Sequence, residues 1–206
     1  MYWRELLKYA EHDLKWAMDE LHIEWLREIL GFGFKRTLEI GSYNGSSLTA
    51  FLDAKSCGDV TEVHVCDVHV RQPLLHVIAA SEIEVILHQR RSVDLLTEDS
   101  NFEFVLVDGD HSIENVRKEM TLLLASGVES IFVHDTTARV AKYPHVEGSE
   151  IAKTMLMGSP AYYCLEDSIP RPGMATDRGA LFATQYADIF EYARSAYYEI
   201  FCKRLH

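Results

Sequence analysis

Apolar positions along this chain change period several times, and each change marks an element. Between residues 2 and 31, Leu7, Leu14, Met18, Leu21, Trp25 and Ile29 recur at spacings of three, four or seven, which predicts one helix with an apolar stripe. Gly31 and Gly33 end it. Short, continuous apolar runs follow: one ending in Glu39, then 60–68, 83–87, 102–107, 131–133, 160–166 and 180–184. These read as buried strands. Helical patterns separate them: an apolar segment at 48–52, a short helix at 74–80 and another at 149–157. A further helix is capped by Ser112, carries Ile113, Val116, Met120, Leu123 and Leu124, and closes at Gly127. Strands alternating with helices predict an α/β fold, a doubly wound and mostly parallel sheet.

The last pattern spans 186–205, with Ile189, Phe190, Ala193, Tyr197, Ile200 and Phe201 on one stripe. Such a face either covers the sheet or pairs with a second subunit in a homo-oligomer. Trp3, Trp16 and Trp25 read as packing residues. The chain divides as one domain over 1–206: a helical cap at 1–33, a core sheet at 34–184 and a terminal helix at 185–206.

The chemistry gathers at strand ends. Leu38-Glu39-Ile40-Gly41-Ser42-Tyr43-Asn44-Gly45-Ser46-Ser47 is a strand, a glycine turn and a helix start. In a doubly wound sheet, ligands sit beyond the carboxyl ends of the strands. Gly41 lets backbone approach a ligand, and Gly45 lets helix and strand pack closely. The spacing is E-x-G-x-x-x-G, without the third glycine of the dinucleotide fingerprint. An acid before the turn suits a cationic amine better than a phosphate. Asp67, near the end of the second strand, is placed to accept ribose hydroxyls. Asp108 and His111 follow the fourth strand, and His134-Asp135 the fifth. Two adjacent loops with oxygen ligands suit Mg²⁺ or another divalent cation, and leave His111 as a general base.

Composition narrows the partners. A formal net charge of -12 over 206 residues argues against nucleic acid, and the basic run His88-Gln89-Arg90-Arg91 is too short to reverse that. Cys57, Cys66, Cys164 and Cys202 have neither zinc nor disulfide-scaffold spacing. Charges at Arg4 and Glu5 break any signal-peptide core, and no apolar run approaches the roughly 20 residues of a membrane span. The expected setting is cytoplasmic, without a membrane partner.

The turn, Asp67 and the two strand-end clusters resemble class I S-adenosylmethionine (SAM) methyltransferases across roughly residues 37–184. The likeness is greatest to the catechol O-methyltransferase type and to small-molecule methyltransferases of macrolide and cephalosporin pathways. It implies a seven-stranded sheet with SAM held by Glu39, Gly41, Tyr43, Gly45, Ser47, Asp67, Ser92 and Asp108. It also implies a metal on Asp108 and on the pair His134-Asp135, with His111 taking the substrate proton. The chain departs from the pattern twice. No acid precedes Ser92, and His134 stands where the family has an acid or amide; imidazole suits Zn²⁺ or Fe²⁺ better than Mg²⁺. The implied function is metal-assisted O-methylation of a small-molecule or sugar hydroxyl. The alternatives are a SAM-binding but catalytically degenerate accessory module and, against the glycine spacing, a nucleotide-dependent oxidoreductase. The acceptor pocket would fall to the N-terminal helix, the loop after Thr136 and the loop holding Arg171 and Arg178, none with a diagnostic motif.

Overall fold

The computed structural model describes residues 2–10, 17–136, 147–167 and 179–202. Strands β1 (Phe34–Ile40), β2 (Val60–Cys66), β3 (Ile86–His88), β4 (Phe104–Val107), β5 (Ser130–His134), β6 (Tyr163–Asp167) and β7 (Ala180–Thr184) form one sheet. Its order is β3-β2-β1-β4-β5-β7-β6. The first five strands are parallel, and β7 runs antiparallel to both β5 and β6. The chain winds outward from β1 to β3 and then returns to β4. The strand order therefore reverses beside β1, where such sheets open a crevice.

Helices cover both faces, so central strands are apolar on both sides. In β5, Phe132 packs with Trp25, Phe51, Phe104, Phe182 and Phe201 on one face, while Ile131 and Val133 pack with Met120 and Leu123 on the other. The first face carries α1 (Tyr2–Leu6), α2 (Glu20–Leu30), α3 (Leu48–Cys57), α4 (Gln72–Ser81) and α8 (Ala187–Tyr197). The second carries α5 (Ser92–Glu98), α6 (Ile113–Ser126) and α7 (Glu147–Met157). Among the described residues, no helix is long and apolar enough to cross a membrane.

The predicted single helix over 2–31 is interrupted. After α1 comes one 3₁₀ turn, Leu7–Tyr9, and α2 begins afresh at Glu20. Asp19 is extended (φ -69°, ψ 154°), and its carboxylate accepts the N–H groups of Leu21 and His22 at 2.9 and 3.0 Å. That N-cap starts a new helix where the apolar period alone showed continuity. Trp3 and Trp25 are buried, and Trp25 Nε1 donates to Ala193 O at 3.0 Å; Leu14 and Trp16 lie outside the described residues. The third strand is Ile86–His88, later than the expected 83–87, and α5 was not legible as a helix. The final stripe is an α-helix to Tyr197 followed by a π turn, Tyr198–Cys202. Ile189, Ala193, Tyr197, Ile200 and Phe201 bury against the chain's own core, while Phe190 is half-buried. The face covers this chain's sheet.

A buried polar network ties the two ends of the chain to the sheet edge. His22 of α2 meets Asp167 of β6 through Nε2 at 2.8 Å, and Tyr197 of α8 donates to the other oxygen of Asp167 at 3.1 Å. His22 Nδ1 stands 3.0 Å from Asp19. All three network residues on α2, β6 and α8 are nearly inaccessible. Removing one partner of such a pair leaves the other buried and short of a bond. His22→Ala is therefore expected to lower unfolding free energy by about 3 kcal/mol, and Tyr197→Phe by about 1 kcal/mol, read by urea denaturation. A midpoint unmoved by His22→Ala would show that the network does not hold α2 to the sheet.

Candidate active site

The turn after β1 is shaped by contact with β4. Gly41 has φ +84°, and a Cβ placed there would lie 2.3 Å from Asp108 O and 2.4 Å from Gly109 Cα. No side chain fits, and the conformation itself favours glycine. Backbone bonds complete the junction: Gly41 N–H donates to Cys66 O and Asp108 N–H to Ile40 O, both at 3.0 Å. The ends of β1, β2 and β4 thus meet at Gly41.

Glu39 and Ser47, expected at the cofactor, bond to each other. Glu39 is wholly inaccessible, and the hydroxyls of Ser42 and Ser47 donate to its two oxygens. Burial pushes its carboxyl up to about 7, against the pull of those two hydroxyls. The pair stands behind the turn and stitches its start to its end. Gly45, also with positive φ, faces Leu74 and Val77 of α4 rather than the cleft, so the close approach it permits is between the turn and α4.

In front of the turn lies a cleft of about 320 Å³ whose walls include Gly41, Tyr43, Asp67, Ser92, Asp108 and Asn115. Asp67 is held ready: one oxygen accepts Tyr43 N–H at 3.1 Å and the other His69 N–H at 2.8 Å. Tyr43 has φ +49°, and the guanidinium of Arg71 lies 4.1 Å over its ring, a cation–π contact at the rim. Ser92 also lines the cleft, with its hydroxyl proton directed back to Glu119. Cys66 is a wall residue whose thiol is pushed up to about 12, chiefly by burial. A thiol so held is a poor nucleophile.

Asp108 also belongs to a second group. Asp108, His111 and Asp135 each offer one ligand atom, and these lie within 4.8 Å of one another. His111 Nε2 is 3.6 Å from Asp108 and 3.7 Å from Asp135. Its Nδ1 is 2.8 Å from Ser149 Oγ. The backbone is fixed as well: Gly148 N–H donates to His111 O at 3.1 Å, and a Cβ at Gly148 would meet that oxygen at 2.3 Å. The start of α7 therefore sets both the place and the angle of the imidazole. Asp135 has φ +59°, a region aspartate tolerates better than most residues, which turns it back toward Asp108. His134 is fully buried beneath both acids, with Nδ1 3.3 Å from each, and its ring meets His22 edge-on at 5.3 Å.

The expected residues thus fall into three places: Gly41, Tyr43, Asp67, Ser92 and Asp108 on the cleft; Glu39, Gly45 and Ser47 behind it; and Asp108, His111, His134 and Asp135 in the cluster beside it. Ser149, Gly148, Arg71 and Asn115 carried no motif. Only Ser149 had a usable signal, as a helix-start serine after a polar loop. The expected acceptor loops, with Lys142, Pro144 and His145 in one and Arg171 and Arg178 in the other, lie outside the described residues.

No protein-family model matches the chain, and no curated protein does. Solved structures do. The O-methyltransferase TomG from Streptomyces achromogenes, involved in tomaymycin synthesis and bound to SAM, is 18% identical, with 87% of this chain and 88% of that one covered at a TM-score of 0.67. The O-methyltransferase from Bacillus cereus with S-adenosylhomocysteine (SAH) is 16% identical, over 89% and 90%, at 0.68. An SAH-bound methyltransferase from Podospora anserina is 18% identical, over 86% of each chain, at 0.63. Sheet order, crevice and these likenesses agree: the chain has the class I SAM-dependent methyltransferase fold.

Proposed function

We propose that this protein is a SAM-dependent methyltransferase that modifies a hydroxyl of a small molecule or sugar with the help of a divalent cation. One observation carries the reading: Asp108 is shared between the cleft and the acidic cluster. A cofactor in the cleft and an acceptor at the cluster would meet at that residue. Two of the similar structures are O-methyltransferases with SAM or SAH bound, which supports the same chemistry here.

Each residue has a role in this reading. Asp67, already oriented by two backbone N–H groups, keeps lone pairs for the ribose hydroxyls. Gly41 gives the cofactor's chain room against backbone. Bound SAM supplies a sulfonium methyl that needs no further activation, so the protein's main task is to position the acceptor. Asp108 and Asp135 fit a divalent cation, which needs only one or two carboxylates when it keeps waters; bound there, it would lower the pKa of an acceptor hydroxyl. A base at Nε2 requires the tautomer in which Nδ1 carries the proton and donates it to Ser149 Oγ, 2.8 Å away, which leaves the Nε2 lone pair toward the cluster. Nε2 then takes the acceptor's proton. His134 braces both carboxylates from the buried side.

A second reading makes His111 Nε2 the third metal ligand, in the place first expected of His134. It is favoured because His111 offers its atom within the same 4.8 Å grouping as the two carboxylates. A ligand nitrogen cannot also be the base, so the two readings separate experimentally.

Calorimetry on the native chain should show SAH binding. Asp67→Ala should weaken it by about 1.5–3 kcal/mol through lost charged hydrogen bonds. Tight NAD binding with no SAH binding would overturn the assignment, and SAH binding without turnover on any acceptor would point to the accessory module.

The cluster is tested by screening phenols, catechols and sugar hydroxyls with labelled SAM. Chelation should abolish turnover reversibly, as should Asp135→Ala. With His111 as base, His111→Ala lowers the rate by about 10²–10⁴-fold and leaves metal affinity intact. If metal affinity falls together with rate, His111 is a ligand. Activity that survives exhaustive chelation excludes the metal from the reaction.

A further inference from the structure

A second buried acid lies behind the outer end of the cleft. Glu119, on α6, is inaccessible, and its Oε1 accepts the hydroxyl proton of Ser92 at the start of α5. Ser92 itself lines the cleft. It follows β3, the strand outside β2, whose end carries Asp67. A ligand with its ribose at Asp67 and its chain at Gly41 therefore directs its base toward Ser92.

A serine hydroxyl has one proton and two lone pairs. With the proton spent on Glu119, Ser92 presents only lone pairs to the cleft. The matching ligand group is a donor such as the 6-amino group of adenine. A 6-oxo purine presents an acceptor at the same place and meets the serine lone pairs unpaired. A carboxylate is acceptor-only, whereas an amide of the same shape can donate to the hydroxyl. Acid and amide at position 119 thus differ in what they force Ser92 to do.

We propose that Glu119 is a positioning residue that fixes the Ser92 hydroxyl as an acceptor, so that the cleft selects a 6-amino purine over a 6-oxo purine. The proposal rests on the reading that the cleft takes SAM. It assigns a function to a side chain that stands behind the cleft wall and belongs to no motif. Burial raises the Glu119 carboxyl to about 7, against hydrogen bonds from Ser92 and Asn115, so the carboxylate form is studied at about pH 8.5.

The test compares SAH with S-inosylhomocysteine, its 6-oxo counterpart, by calorimetry at that pH. The native chain should prefer SAH by about 10–100-fold, the value of one hydrogen bond replaced by an unpaired polar contact. Glu119→Gln should bring the two affinities to within about threefold of each other, because Ser92 can then donate or accept. A merely structural role would weaken both ligands together and leave their ratio unchanged. Ser92→Ala removes the hydroxyl without a large volume change and should collapse the ratio in the same way, which keeps the test open if the Gln variant fails to fold. A native ratio near one, or a ratio unchanged in either folded variant, overturns the proposal. A native chain that binds neither compound overturns the SAM reading with it.

Discussion

The contact between the backbone of Gly41 and that of Asp108 and Gly109 is the constraint from which the site follows. A Cβ at Gly41 would overlap the Asp108 carbonyl oxygen, so β1 and β4 approach this closely only because residue 41 has none. That approach brings Asp108 to the floor of the cleft. Parallel pairing of β4 with β5 then sets the end of β5 beside it, and the left-handed backbone at Asp135 turns a second carboxylate inward. The fold imposes that proximity through hydrogen-bonded strands rather than through the side chains themselves.

Three buried carboxyls among the described residues are held by different sets of partners. Glu39 is clasped by two hydroxyls within its own turn, Glu119 by one hydroxyl from another helix, and Asp167 by an imidazole and a phenol from opposite ends of the chain. For both glutamates, burial is the main force raising the carboxyl toward neutrality. The consequences differ with position. Glu39 closes the glycine turn and leaves the wall of the cleft to backbone. Asp167 gathers α2, β6 and α8 around the buried side of His134, whose ring touches His22. The polar core and the acidic cluster are thus continuous through two imidazoles.

Strand composition and the glycine turn made the sheet legible, because buried parallel strands are short apolar runs whatever their neighbours. The places of Asp67 and Asp108 on one edge of the sheet were readable for the same reason, since a strand end fixes which edge a residue occupies. The enclosure of Glu39 by two serines was not, because sequence places an acid near a strand end without showing which hydroxyls surround it. The break in the N-terminal helix was hidden in a pattern whose apolar stripe continues across it; only the Asp19 cap reveals the restart. The partners of Glu119 and Ser149 were invisible for a further reason. Each acts on a residue far away in sequence, 27 positions for Ser92 and 38 for His111, and long-range pairing has no local signature.

The reversed direction of β7 has a topological result. In a purely parallel sheet, every connection that arrives from the far edge leaves the ligand side with one loop per strand. Here Ala180, the first residue of β7, pairs with His134 at the end of β5 and also with Asp167 at the end of β6. Gly179 O accepts the N–H of Thr136 at 3.0 Å. The chain therefore leaves β6 and re-enters β7 at the same rim, so both anchors of that connection flank the acidic cluster. One antiparallel strand thus places the end of β5, the end of β6 and the start of β7 side by side on the rim that holds the acidic cluster.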